Sequence, residues 1–239
     1  MTPRTAWRGC AAAGIVAFIC SASFGRIPGM VSCGPDGGLG PIIAFEFART
    51  PADVAALFGG EPCTATLVAA QKTGLLLDAL GFIPFYTAFL IFAAIAAGAQ
   101  GPVRRVAIAI FLLAAASDEI EGALLHAILR DLPGTTLLLQ VLWWPVHVKF
   151  ALLGLGTVQI GSLIGLKWAR PWPREIAGSL IFMGGFFALL CLFLINQWAM
   201  IGFTVAWVTL LIVALIASFW PSLFAARAAP PPDPATPSA

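Results

Sequence analysis

The chain has 239 residues, 60% of them hydrophobic and 10% charged, with a formal net charge of +2 and a mean hydropathy of +0.95. Soluble domains carry nearer half apolar and a quarter charged residues, so this composition excludes an ordinary water-soluble fold and points to an all-α polytopic membrane protein. The positive excess is spread along the chain with no basic run or nucleic-acid motif, which excludes nucleic acid as a partner and makes the lipid bilayer the expected one.

Six apolar windows are long enough to cross a hydrocarbon core, at about 9–27, 74–97, 104–128, 142–166, 176–196 and 198–221. The first follows Arg4 and Arg8 and ends near CSAS, so it fits either a membrane anchor or a cleaved signal peptide, and cleavage leaves five spans. The expected organisation is an N-terminal anchor or signal-like helix over 1–27, an outer loop over 28–73, a three-helix core over 74–166, a C-terminal transmembrane hairpin over 167–222 and a disordered cytoplasmic tail over 223–239. Orientation follows from basic residues. Arg4, Arg8, Arg104, Arg105, Lys167, Arg170, Arg174 and Arg227 fall on one side against Arg26, Arg49, Lys72 and Arg130 on the other, which predicts both termini inside.

The outer loop carries its own helix signal. In RTPADVAALFGG, Thr50 suits an N-cap, Pro51 the first helical position and Asp53 the positive helix end, while Gly59 and Gly60 end the segment. Just before it, PIIAFEFA sets a single Glu46 among apolar residues, a composition suited to packing on the membrane surface or onto the bundle. Cys33 and Cys63 lie in this loop, where an oxidising compartment allows a disulfide, whereas Cys10, Cys20 and Cys191 lie in apolar segments.

The third window contains AAASDEIEGALLHAIL, with Asp118, Glu119, Glu121 and His126 inside a membrane-length helix. At 1.5 Å per residue, counting from Arg105 places Asp118 roughly 20 Å and Glu121 roughly 24 Å above the inner boundary, with His126 near the outer interface. Counting from Lys72 places Asp78 about 9 Å deep, and counting from Lys167 places Lys149 roughly 27 Å up. These positions converge on one layer in the outer third of the bundle, consistent with Trp143 and Trp144 in an outer aromatic belt. On a helical projection Asp118, Gly122 and His126 share an arc, with Glu119 and Glu121 to either side.

A buried acid or lysine opposes insertion by roughly 2.5–3.5 kcal/mol, while each large aliphatic residue favours it by only about 0.3–0.6 kcal/mol. The third span therefore needs partners, and Lys149 is the ionised candidate in its layer. With Asp78, Asp118, Glu119 and Glu121 set against one lysine, either some carboxyls keep their protons or a cation is bound. Tyr86, the only tyrosine, lies near mid-membrane. The candidate polar-layer residues are thus Asp78, Tyr86, Asp118, Glu121, His126 and Lys149. The spacing of His126 and His147 matches no ligand signature, so neither a metal nor a cofactor is expected.

The succession FEFARTPADVAALFG, LLLDALGFIPFYTAFL, AAASDEIEGALL and VKFALLGLG resembles an uncharacterised family of bacterial inner-membrane proteins with four helices and an extracytoplasmic loop after the first. In that family an acid opens the second helix ahead of a tyrosine, the third helix holds Asp-x-x-Glu-Asn and the fourth a lysine. The resemblance maps these onto Asp78, Tyr86, Asp118, Glu121 and Lys149, with Gly122 standing where asparagine is expected. It covers roughly the first 160 residues, implies a multi-pass protein of the bacterial inner (plasma) membrane, and carries no activity. Three roles follow from the polar layer: a small proton- or cation-linked transporter with a polar lipid or small ion as ligand, an intramembrane enzyme acting on a lipid or isoprenoid, or a structural assembly protein.

Overall fold

The computed structural model describes residues 2–165, 172–192, 197–220 and 223, and the described residues form eight helices and no strand. These are α1 (Pro3–Phe24), α2 (Gly40–Glu46), α3 (Pro51–Phe58), α4 (Cys63–Ala96), α5 (Gly101–Ile128), α6 (Thr136–Gly165), α7 (Trp172–Leu192) and α8 (Gln197–Phe219). Helices α1, α4, α6, α7 and α8 contain the five stretches long and apolar enough to cross a membrane. Helix α5 is 28 residues long, about 42 Å of helix, but Arg104, Arg105, Asp118, Glu119 and Glu121 set it apart from that apolar group. Lys167, Arg170, Asn196 and the tail from residue 224 lie outside the described residues, as does the side chain of Cys191.

The six long helices close into a ring in chain order: each packs on its neighbour along the chain, and α8 packs back on α1. The C-terminal pair is therefore an integral part of the ring. Its position follows from glycines that bring backbones together. Gly161 and Gly165 on α6 face Gly178 on α7, where an added Cβ would come within 2.5 Å of the Gly165 nitrogen. The GSLIG stretch is thus a small-residue contact of the GxxxG kind. Hydrogen bonds help tie α8 to the rest of the ring: Trp207 Nε1 donates to Thr157 Oγ1 at 3.1 Å, and Arg4 Nε donates to the Ser218 carbonyl at 3.4 Å.

Helix α4 begins at Cys63, well before the expected boundary at 74, because TATLVAAQK contains no breaker and its Leu67, Ala70 and Gln71 find buried positions. Its course is interrupted by a π-turn at Asp78–Phe82, where the Ile83 N–H reaches back to the Asp78 carbonyl. Pro84 accounts for this turn: it lacks an N–H, and its ring would press on the carbonyl four residues earlier, so widening the preceding turn relieves the clash. The widened turn lies midway along α4 and carries Asp78.

Above the ring, α2 and α3 form a folded cap. Thr50 Oγ1 accepts from the Asp53 N–H at 3.2 Å while Asp53 Oδ2 accepts from the Thr50 N–H at 2.8 Å, a complete capping box. Val54, Leu57 and Phe58 turn the apolar face of α3 inward, and Phe58 meets Phe45 of α2 edge-on at 5.1 Å. A disulfide joins Cys33 to Cys63 with the Cα atoms 5.9 Å apart, tying the start of the loop to the start of α4.

Candidate functional site

The buried residues of α5 are Ala107, Phe111, Ala114, Asp118, Glu121, Leu125 and Ile128, an alternating four-three spacing that makes one stripe along the helix. Asp118 and Glu121 occupy two places in it that would ordinarily hold aliphatic side chains. Glu119 falls off the stripe and is exposed, and half-buried His126 also lies off it. The buried arc is therefore Asp118, Glu121 and Leu125, not Asp118, Gly122 and His126, because packing follows a period of 3.5 residues here.

Lys149 of α6 enters this stripe from the facing helix. Its Nζ lies 3.0 Å from Asp118 Oδ1, 2.8 Å from Glu121 Oε2 and 3.1 Å from Glu46 Oε2, and all four side chains are at most 8% exposed. The ammonium also stands 4.6 Å from the centroid of the Phe150 ring. Tyr86 donates its hydroxyl proton to Asp118 Oδ2 at 2.8 Å, so that carboxylate is held by α4 and α6 together. Asp78 makes no ion pair or side-chain hydrogen bond to the cluster; it borders the same space from the π-turn.

Glu46 was not among the candidate residues, and it is the member supplied by the outer cap. Three contacts bring it in: Phe45 beside it is fully buried, Gln71 Nε2 donates to the Pro41 carbonyl at 2.9 Å, and Phe47 stacks on Phe150 at 5.6 Å. The available signal was a lone acid flanked by aromatics, which cannot lie flat on an apolar surface without a partner for its charge. Burial pushes the Glu46 carboxyl above the usual carboxylate range, against the opposing pull of Lys149.

Beside the cluster lies a cavity of about 600 Å³. Glu46, Asp78, Asp118, Lys149 and Tyr86 form its polar end, and its walls come from α1, α4, α6 and α8. The walls are largely aromatic and continuous: Phe82 with Tyr86 at 5.2 Å, Tyr86 with Trp207 at 5.8 Å, Trp207 with Phe203 at 5.9 Å and Phe203 with Phe150 at 6.0 Å. On the other side of Glu46 and Asp78 a cleft of about 20 Å³, roughly one water, also reaches Glu121. Glu46 and Asp78 border both spaces.

Chemically, one ammonium confronts four carboxyl groups out of bulk water. Lys149 Nζ occupies the centre of its three acids, the place a metal ion would take, and among the described residues no group of three or more His, Cys, Asp and Glu side chains is arranged to hold a metal. His147 is engaged elsewhere, with Nδ1 2.8 Å from the Trp143 carbonyl and its ring stacked on Trp143 at 4.0 Å. No protein family, curated protein or solved structure matches the chain. The protein is a candidate multi-span helical membrane protein with a buried Lys149 salt-bridged to Glu46, Asp118 and Glu121.

Proposed function

We propose that this chain is a small proton-linked transporter of the bacterial plasma membrane, with six spans, both termini inside and the cap on the outer face. The observation that carries this reading is the charge imbalance of the buried cluster: one lysine faces three direct carboxylate partners and Asp78, next to a space large enough for a ligand. A cluster with surplus acid in a low-dielectric layer takes up and releases protons or exchanges them for another cation. Asp118 and Glu121 exchange protons in this reading, and Lys149 is the fixed counter-charge. The basic-residue count supports the orientation, the Cys33–Cys63 disulfide supports an oxidising outer side, and the resemblance drawn from the sequence motifs belongs to the same proposal. Helix α1, whose Trp7 and Cys10 are buried against the bundle, serves as a retained span.

The test is charge movement after a pH jump across a membrane holding the reconstituted protein. The wild type moves charge, and Asp118→Asn and Glu121→Gln do not. An undiminished signal from both folded variants removes the transport reading.

A second reading, an intramembrane enzyme acting on a lipid or isoprenoid, is favoured by one feature: the Tyr86–Asp118 pair at the head of an apolar cavity is placed as a general acid and base. It predicts turnover of a component of a lipid extract by the purified protein, abolished by Tyr86→Phe.

A further inference from the structure

We propose that the cavity binds an amphipathic organic cation, an amine or quaternary ammonium on an apolar body, which enters sideways from the bilayer between α1 and α8. The proposal rests on the reading above that the cluster is a working site, and names the class of ligand it takes.

Charge at the polar end selects the sign. Lys149 is already engaged by three acids, so an anion finds no available cation. Asp78 is the acid without an internal partner, and the π-turn sets it on the border of the cavity. The groups facing it are Glu46 from α2, Tyr86 from α4, Asp118, Glu119 and Glu121 from α5, and Lys149 from α6, while among the described residues α1 and α8 present Ser21, Thr204, Trp207 and apolar side chains to the cavity and no charged group. An arriving ammonium thus meets an acid with no counter-charge of its own, in a region of surplus acid, and can take the place of its proton.

The walls select the body. The rings of Phe82, Tyr86, Phe150, Phe203 and Trp207 offer apolar area, and their faces attract a cation. A volume of about 600 Å³ lies in the range of sites for drug-sized molecules.

The route follows from how α1 and α8 separate. Toward one end they are in close contact: a Cβ on Gly14 would meet Leu211 at 2.9 Å, and Arg4 reaches the Ser218 carbonyl. Toward the other end the cavity lies between residues 17–25 of α1 and 200–207 of α8, and Ser21 and Thr204 are exposed. That opening faces lipid in the outer half of the ring.

The test measures equilibrium binding to the full chain in lipid nanodiscs of two ions of nearly the same shape and opposite charge, labelled tetraphenylphosphonium and tetraphenylborate. Tetraphenylphosphonium binds saturably and weakens as pH falls, because protons compete for Asp78, and tetraphenylborate binds about tenfold less tightly or worse. Asp78→Asn lowers phosphonium affinity about tenfold or more, and Glu175→Gln, which alters an exposed acid of α7 that does not line the cavity, leaves it unchanged. Equal binding of the two ions, or full phosphonium affinity in folded Asp78→Asn, overturns the proposal. If Asp78→Asn does not fold, Trp207→Ala decides together with the wild-type ratio, since it removes a wall of the cavity without touching an acid. Selective phosphonium binding without charge movement after a pH jump removes the transport reading and leaves this one. Charge movement without selectivity between the two ions does the reverse.

Discussion

Two regions of the ring are held together by opposite means. On the α4–α6 side, with the cap above it, the decisive contacts are ionic: Lys149 draws together acids from α2 and α5, and Tyr86 of α4 holds one of them. On the α7–α8 side no charged residue occurs between Glu175 and Arg227, and helices meet through glycines at Gly161, Gly165, Gly178, Gly184 and Gly202. In lipid, close backbone approach is a sufficient basis for association because tails and aliphatic side chains are equally apolar. The ionic side accepts the cost of burying charge, and its polar groups line one end of the cavity. The glycine side then supplies the cavity's far wall, with Phe203 and Trp207 carried on a helix that packs without polar groups.

The contrast can be broken most strongly at Lys149. Lys149→Met leaves three carboxyl groups facing one another without their counter-charge, and loses about 3–5 kcal/mol of stability, read as the midpoint of unfolding in mixed micelles. Glu46→Gln, which removes an acid from a cluster with acid to spare, costs much less; a loss as large as that of Lys149→Met refutes the imbalance. Opening the disulfide with Cys33→Ser and Cys63→Ser comes next, at about 2–4 kcal/mol, and acts on the cap alone, so hydrogen exchange rises in α2 and α3 while α7 and α8 are unaffected. Gly161→Leu probes the other side. Its side chain runs into the backbone of Phe182, and the α6–α7 contact weakens by about 1–3 kcal/mol, with the ion pairs intact.

The smallest effect belongs to the capping box. Thr50→Ala costs about 1 kcal/mol, seen as fraying of α3. Although partial burial acts in the opposite direction, the N–H groups of Arg49 and Thr50 hold the Asp53 carboxyl below its usual range. A group depressed in the fold adds stability that is complete above its unfolded value, roughly pH 4, and is lost as pH falls through the folded one. Exchange in α3 therefore rises on acidification below about pH 4, and Asp53→Asn flattens that response.

How much of this was legible in the sequence follows from the range of the interactions. The α3 cap is local, written in Thr50, Pro51 and Asp53, and its geometry is as the spacing implies. The proximity of Asp118, Glu121 and Lys149 followed from depth counting, because helices convert residue number into height. Rotation about the helix axis was less secure: His126 was grouped with Asp118 by a single-turn projection, whereas the full stripe from Ala107 to Ile128 turns it away. Glu46 was out of reach, since its position depends on a loop folding back through Gln71, Phe47 and the disulfide. The place of α7 and α8 in the ring was also hidden, because glycine contacts require two surfaces to be known at once.

In the proposed reading the buried cluster holds more acid than its lysine neutralises and therefore carries protons at neutral pH. Infrared spectroscopy of the reconstituted protein at neutral pH reads this directly, since a protonated carboxyl has its own carbonyl stretch. The account predicts such a band in the wild type and a clear loss of intensity in Glu46→Gln. A wild-type spectrum with no protonated carboxyl at neutral pH contradicts it.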